Sequence, residues 1–454
     1  MFKPKGIDAT SGRLLPSIII YAIPLILATL VQTLFHAVDL IVLRYTADSV
    51  AVASVGATGT ITTLIVHTFI GLSGGTNVIL ARFIGAKDHK NTHDTASTSL
   101  IMAAAIGVLA AILGCIFAEP MLILTKCPAD CFDGALIYLR IYFLSAPAIL
   151  LYSFGSSILR TSGDTTRPLI YMILSGALNL VLNIILCFVL TEKVAAVAIA
   201  TVASQILGAI LTLVRLCTMN GDCRISLRKM RFNLHLFGRI LRFGLPICLN
   251  TALFPIANLQ IQSAINSFGS AATAGNTAAA NLESIVSSAT TAFGTAALTF
   301  IGQNLGAGKR DRVHKSFRYC LSISFLCGLV FGLLLYIFGG FFLSFFVGDD
   351  PAAIGFGMIR AKYILAFYCV GALNNGLGST LNAFGYSTFT SLNSTISVFG
   401  FRLLWMNTVY LFFPVYECIF VCFFVSWMLI LLCNIIMTAI VFRKYKNGTL
   451  HSVS

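Results

Sequence analysis

Long apolar runs, each about as long as a bilayer crossing, alternate with short polar segments along the whole chain. A crossing helix needs roughly 20 mostly apolar residues, and the runs are sufficient for twelve such helices. The first six are predicted over 14–43, 51–82, 97–118, 135–160, 168–190 and 194–217. The second six are predicted over 238–268, 273–305, 316–346, 357–383, 389–414 and 417–442. The pattern therefore predicts an all-α integral membrane protein.

The two halves of the chain repeat each other at a nearly constant distance. Three matching pairs lie 221 or 222 positions apart: Pro24 with Pro246, Gly85 with Gly306, and Gly163 with Gly385. Parallel repeats of this kind are related by an axis along the membrane normal. We therefore expect two six-helix bundles related by a pseudo-two-fold axis along that normal. The predicted parts are an N-lobe over 1–217, a cytoplasmic linker over 218–237, a C-lobe over 238–442 and a cytoplasmic tail over 443–454.

Composition and charge support the membrane interpretation. Of the 454 residues, 57% are hydrophobic and 10% are charged, whereas soluble domains are about a quarter charged. A large soluble enzyme is therefore excluded. Of the 30 lysines and arginines, 23 fall in the termini and loops on one side of the predicted bundle. This bias predicts a multi-pass protein of the cell inner (plasma) membrane with both termini in the cytoplasm.

The basic stretch over 220–243 is the segment most like a nucleic-acid patch. Its cations lie in the predicted linker and at the start of the apolar helix that follows it, where they are better explained by a lipid surface. The partners that we expect are therefore the lipid bilayer and a small molecule, with no nucleic acid.

Cysteines and sequence motifs give no sign of an enzyme. The thirteen cysteines form no zinc-like CxxC pair, and the nucleotide-binding motif GxxxxGK[ST] is absent, so direct use of ATP is not expected. We predict a non-enzyme without cofactor or metal. Cys127 and Cys131 flank Pro128 in a predicted outer loop, where they either form a disulfide or stay free.

Several motifs together resemble the multidrug and toxic compound extrusion (MATE) transporters. In chain order they are Val38-Asp39, GLSGGTNVILARFIGAKD (71–88), SSILRTSGDTTRPL (156–169), ALNLVLNIIL (177–186), VAIATVASQ (197–205), NSFGSAATAGNTAAANLESI (266–285), ALTFIGQNLGAGKRDRV (297–313) and FGFRLLW (399–405). The resemblance implies two bundles around a central cleft. It also implies export of organic, often cationic, substrates driven by inward proton or sodium flow. We expect a monomer, because the two halves already form the cleft.

Ionisable residues inside predicted membrane helices are candidates for function, because a charge in hydrocarbon is costly. Asp39 lies in helix 1 with Gln32 and His36, spaced i, i+4 and i+7, so that the three share one helical face. His36 is either a proton partner or a hydrogen-bonding residue between helices. Gln32 is a candidate substrate-binding residue.

The family resemblance implies a cation site formed by an aspartate of helix 1, an Asn-x-x-x-Asp pair of helix 5 and a threonine of helix 6. These positions correspond to Asp39, Asn179, Asn183 and Thr201. The chain departs from the pattern at Asn183, where the family has an aspartate. Because one carboxylate among amides suits a proton better than sodium, we predict proton coupling through Asp39. Sodium coupling stays open.

The second half supplies the remaining candidates for substrate binding. They are Asn258 and Gln262 in helix 7, Glu283 in helix 8 and Asn375 in helix 10. Some family members have acids in helices 7 and 10, where this chain has amides. Glu283 is therefore a counter-charge for a cationic substrate, a second proton carrier, or a helix-end residue that reaches water. Arg402, in helix 11, either pairs with Glu283 or caps carbonyls.

The function predicted from the sequence is a secondary antiporter that exports organic, cationic, drug-like substrates and is driven by inward proton flow through Asp39. One alternative is sodium-coupled antiport. Another is a flippase for a lipid-linked substrate, which should have several arginines inside the membrane to hold a pyrophosphate. For that role the sequence offers Arg402 alone, which disfavours a flippase.

Overall fold

A computed structural model describes residues 6–46, 49–125, 127–226, 228 and 230–449. It leaves out the side chains of 33–41, 43–46, 49, 254–257 and 259. Within the described residues every regular element is a helix, which confirms the all-α prediction.

Seventeen α-helices follow one another in the described ranges. They are α1 (Leu14–Thr46), α2 (Ser49–Gly85), α3 (His89–Leu124), α4 (Phe132–Phe143), α5 (Ala146–Thr161), α6 (Thr166–Val189), α7 (Lys193–Thr218), α8 (Leu234–Asn266), α9 (Ser270–Gly306), α10 (Arg310–Ile337), α11 (Gly339–Val347), α12 (Pro351–Tyr363), α13 (Tyr368–Ala383), α14 (Ser387–Ser394), α15 (Phe401–Asn407), α16 (Val409–Phe412) and α17 (Tyr416–Lys446). A π-helical segment, Thr395–Gly400, joins α14 to α15.

The predicted number of membrane spans agrees with the helices of the described part. Ten helical segments there are long and apolar enough to cross a bilayer, and two bent helix pairs raise the number to twelve. Four of the predicted continuous helices are wrong in detail. The helices over 135–160 and 357–383 are each bent by 47° at a short break. The helices over 316–346 and 389–414 are each divided into shorter elements.

The chain folds into two compact units. Unit 1 contains residues 1–8 and 27–248, and unit 2 contains 9–26 and 249–454. The first part of α1 therefore packs with unit 2, and the first part of α8 packs with unit 1. Ile26 and Cys248, where the two exchanged segments end, are 222 positions apart, so the exchange follows the sequence repeat. The lobe boundaries predicted from the sequence stay a prediction.

The repeat is also visible in the backbone of each unit. Gly163 and Gly385 both have positive φ, at 92° and 85°. The helix breaks before α5 and before α13 have the same bend of 47°. Positive φ is easily reached only by glycine, so a glycine allows the equivalent turn in each half.

One glycine in each unit allows two helices to approach closely. A Cβ added at Gly107 of α3 would lie 2.5 Å from the Cα of Pro147 in α5, and one at Gly328 of α10 would lie 3.1 Å from the Cα of Cys369 in α13. Small residues at such crossings let helix backbones pack tightly inside membranes. Cys127 and Cys131, considered above for a disulfide, are separate thiols.

We predict that Gly107→Leu destabilises unit 1, because the new side chain meets backbone atoms of α5 that cannot rotate away. Overpacking of this kind costs about 1–3 kcal/mol, and the thermal melting temperature of the purified protein should fall. Gly56→Leu is the control, because no atom lies within 4 Å of a Cβ at that position. Equal melting temperatures for the two variants would contradict the close approach.

Candidate functional site

Two amides and a hydroxyl predicted for the cation site lie together in unit 1. The Nδ2 group of Asn183 donates to Oδ1 of Asn179 at 3.2 Å, and Nδ2 of Asn179 donates to Oγ1 of Thr201 at 3.4 Å. All three side chains are buried, with exposures of 6% for Asn179, 0% for Asn183 and 8% for Thr201. The structure therefore brings these predicted residues together on α6 and α7.

Local helix geometry explains why these side chains meet. Asn179 and Asn183 are one turn apart on α6, so their side chains lie on the same face. Thr201 is held on α7 by a hydrogen bond of 2.9 Å from its hydroxyl to the carbonyl of Val197, a common arrangement for threonine inside helices. The cluster is neutral, and its two amides and one hydroxyl provide hydrogen-bond donors and acceptors without adding charge.

The helix 1 candidates, His36 and Asp39 for the cation site and Gln32 for substrate binding, are only partly described. Gln32 is a half-buried residue of α1. The side chains of His36 and Asp39 lie outside the described residues. The predicted face formed by Gln32, His36 and Asp39 therefore stays a prediction.

A chain of polar side chains links α8, α9 and α12 within unit 2. Its centre is Arg360 of α12, which donates from Nη2 to Oε2 of Glu283 at 2.5 Å and from Nη1 to Oδ1 of Asn276 at 2.6 Å. Asn276 donates in turn to Oε1 of Gln262 at 3.3 Å, and Gln262 donates to Oδ1 of Asn266 at 2.8 Å. The predicted residues Gln262 and Glu283 thus belong to one network.

Arg402 of α15 is the centre of a second group of polar contacts in unit 2. It is only 1% exposed. Its Nη1 donates to Oδ1 of Asn258 at 3.2 Å and its Nε donates to Oγ of Ser426 at 3.3 Å. The guanidinium lies 3.9 Å from the ring centre of Phe423, a cation–π contact that helps to stabilise a desolvated charge. Asn258 is therefore a hydrogen-bond partner of this buried cation.

Two expectations from the sequence are corrected. Glu283 is not a helix-end residue, because α9 extends from Ser270 to Gly306 around it. Its ion pair is with Arg360 and not with Arg402; the two charged side chains are 20% and 12% exposed. Sequence reasoning missed Arg360, although it lies inside the predicted helix over 357–383.

Asn375 stands apart from the Glu283 network. It is exposed, and its amide donates to Oγ1 of Thr290 at 3.5 Å. Neighbouring Asn374 donates to the carbonyl of Trp427 at 2.9 Å, which is a contact between α13 and α17. The sequence pattern did not predict that Asn374 and Asn375 have different hydrogen-bond partners.

The family can now be identified from comparison with known proteins. The family model described as MatE matches residues 24–189 and 246–406, which is more than half of the chain and includes parts of both units. The chain belongs to the MatE family, and it is accordingly a multi-pass membrane transporter. The resemblance inferred from the motifs is confirmed.

Individual relatives agree with this assignment. A Bacillus subtilis (strain 168) protein named "Probable multidrug resistance protein YpnP" is 26% identical over 387 residues, covering 84% of this chain and 85% of that one. A Shewanella oneidensis protein named "FAD transporter" is 28% identical over 333 residues, covering 70% and 71%. The solved structure of a MOP superfamily transporter from Pyrococcus furiosus has the same fold, with a TM-score of 0.86, 22% identity, and coverage of 97% and 100%.

We predict that Glu283 and Arg360 stabilise each other. Removing one partner of a largely buried pair leaves an uncompensated charge, so Glu283→Gln and Arg360→Met should each lower the melting temperature. The decrease in melting temperature of the double variant should be smaller than the sum of the decreases in the two single variants. Expressed as free energies of unfolding, this double-mutant cycle should give a coupling energy of about 1–3 kcal/mol between the two residues.

The ion pair of Glu119 with Arg140 provides the matched control. Its atoms are 3.9 Å apart and its side chains are 54% and 51% exposed, so the same cycle should give a coupling below about 1 kcal/mol. Equal coupling in the two cycles would show that burial of the Glu283 pair has no energetic consequence.

Proposed function

We propose that the protein is a secondary antiporter that exports organic, drug-like substrates and takes its energy from inward proton flow through Asp39. Family membership supports multidrug efflux as the general activity, since YpnP is named as a multidrug resistance protein. The name "FAD transporter" of another relative widens the substrate class to organic metabolites. The observation that carries the proton assignment is the neutral, buried cluster of Asn179, Asn183 and Thr201.

The neutral cluster favours a proton over sodium. With Asn183 in place of an acid, the cluster contributes no negative charge to hold a metal cation. A carboxyl group needs only hydrogen-bond partners when it is protonated, and amides and hydroxyls supply those. In the proposed cycle Asp39 is protonated from outside, helix 1 repacks and the substrate leaves. Loss of the proton to the cytoplasm then resets the transporter.

The substrate is proposed to be cationic, and the unit 2 network limits how it is held. Glu283 already neutralises Arg360 at 2.5 Å, so a cation that uses this carboxylate must compete with the guanidinium. Of the three roles considered for Glu283, we favour the counter-charge for a cationic substrate, with the carboxylate shared between the substrate and Arg360. Cation–π contacts with aromatic side chains are a further source of affinity.

A lipid-linked flippase is the runner-up. Arg360 and Arg402 give unit 2 two buried or half-buried guanidinium groups, one more than was expected from the sequence alone. Glu283 neutralises one of them, which leaves a weaker field for a pyrophosphate than several free arginines would create. We therefore favour efflux of small organic molecules.

The proposal predicts that adding ethidium to inside-out vesicles in sodium-free buffer releases protons from the vesicle lumen. Asp39→Asn should abolish this response, because an amide cannot exchange a proton in this pH range. Luminal pH is followed with a fluorescent dye. Asp349→Asn, which changes an exposed acid, is the control and should behave like the wild type. A wild-type response that appears only with a sodium gradient would refute proton coupling.

A second prediction concerns Asn183→Asp, which restores the acid of the family pattern. A second carboxylate beside Asn179 adds a hard, charged oxygen ligand, and we expect ethidium efflux to become stimulated by an inward sodium gradient. Efflux is measured from ethidium fluorescence with and without sodium. Asn281→Asp, at an exposed position of α9, should leave efflux unchanged. Sodium stimulation of the wild type equal to that of the variant would contradict the role given to Asn183.

A further inference from the structure

An apolar groove lies on the surface of unit 1, away from the polar cluster. Its volume is about 610 Å³. The lining residues share a purely apolar character: Leu100, Ile101, Ala104, Ala105, Val108, Leu151, Leu213, Leu216, Cys217, Ile225 and Met230. A groove with no charged or amide side chain fits a hydrocarbon chain better than a polar substrate.

Helix packing produces the groove. Helices α3 and α7 both pack against α5, and the groove is lined by residues of all three helices, with Leu151 contributed by α5. Leu100 and Val108 are eight residues apart on α3, which corresponds to about 12 Å along the helix. The groove therefore follows α3 for about two turns of helix.

The linker between the two halves closes one end of this groove. Near its middle, the amide of Ile225 donates to the carbonyl of Leu216 at 2.9 Å. At its end, the amide of Asn233 donates to Oγ1 of Thr98 in α3 at 3.2 Å. The linker is thus fixed to both walls of the groove, and Ile225 and Met230 contribute to the lining.

The closed end is positively charged. The described residues 222–226, 228, 230 and 231 include three arginines, Arg224, Arg228 and Arg231, against one acid, Asp222. That acid is engaged by Nδ1 of His89 at 2.7 Å. Arg224 is exposed, and its Nε donates to the carbonyl of Cys217 at 3.2 Å, which holds the guanidinium beside a residue of the groove lining.

We propose that this groove binds an anionic phospholipid, with one acyl chain between α3 and α7 and the phosphate on Arg224. An apolar channel that ends at an exposed guanidinium is complementary to a molecule with a hydrocarbon tail and an anionic head. Basic residues at the ends of membrane helices attract anionic lipids, each contributing about 1 kcal/mol near the surface. An uncharged drug would fill the channel but would make no use of the basic end.

Native mass spectrometry of the full-length protein tests the proposal. Purified protein in detergent receives equal amounts of phosphatidylglycerol and phosphatidylcholine with the same acyl chains. The wild type should retain phosphatidylglycerol preferentially. Arg224→Gln should lower this preference about fivefold, and Ala105→Trp, which fills the channel, should remove the retained lipid altogether.

Two variants outside the groove serve as controls. Arg443→Gln removes an exposed arginine of α17, and Leu326→Trp places a bulky residue at an exposed position of α10. Both should retain lipid as the wild type does, and the melting temperature of each variant checks its folding. Equal retention of the two lipids by the wild type, or an effect of Arg443→Gln as large as that of Arg224→Gln, would overturn the proposal. Full retention in folded Ala105→Trp would do so as well.

Discussion

Burying a charge among apolar helices is costly unless the charge is paired or neutralised, and the polar residues of both units are arranged to meet this constraint. In unit 2 the guanidinium of Arg360 lies 2.5 Å from the carboxylate of Glu283. Arg402, which is almost fully buried, has amide, hydroxyl and aromatic partners. In unit 1 the described polar cluster contains only neutral side chains.

This difference between the two clusters supports different roles for them. Unit 2 uses its carboxylate to pair a guanidinium, and that pair fixes α9 to α12. The described cluster of unit 1 consists of two amides and a hydroxyl, which donate and accept hydrogen bonds without adding a fixed charge. A proton carrier needs a charge that changes during the cycle, and this is the role proposed above for Asp39.

Much of the fold was predictable from the sequence, because helix length and the positions of basic loops follow directly from the bilayer. The repeat was predictable too, since Gly163 and Gly385 occupy the same kind of turn. The helix breaks were not predictable, because apolar runs continue across them; residues 135–160 read as one helix although α4 and α5 meet at 47°.

Contacts of the candidate site that depend on spacing along one helix were predictable from the sequence. Contacts between residues that are far apart in the sequence were not. Asn179 and Asn183 share a face of one helix, so their pairing follows from their spacing. Glu283 and Arg360 are 77 positions apart, and no local pattern relates them. Arg360 was overlooked because it lies close to the start of its predicted helix, where a cation normally reaches water.

Substrate-induced proton release from the purified protein tests the central claim most directly. If proton and substrate compete, linkage requires that each lowers the affinity for the other. Adding ethidium to protein in weakly buffered, sodium-free detergent solution should then release roughly one proton per bound substrate. Asp39→Asn should bind ethidium without releasing protons. Substrate binding to the wild type without proton release, or equal release from Asp39→Asn, would contradict proton coupling through Asp39.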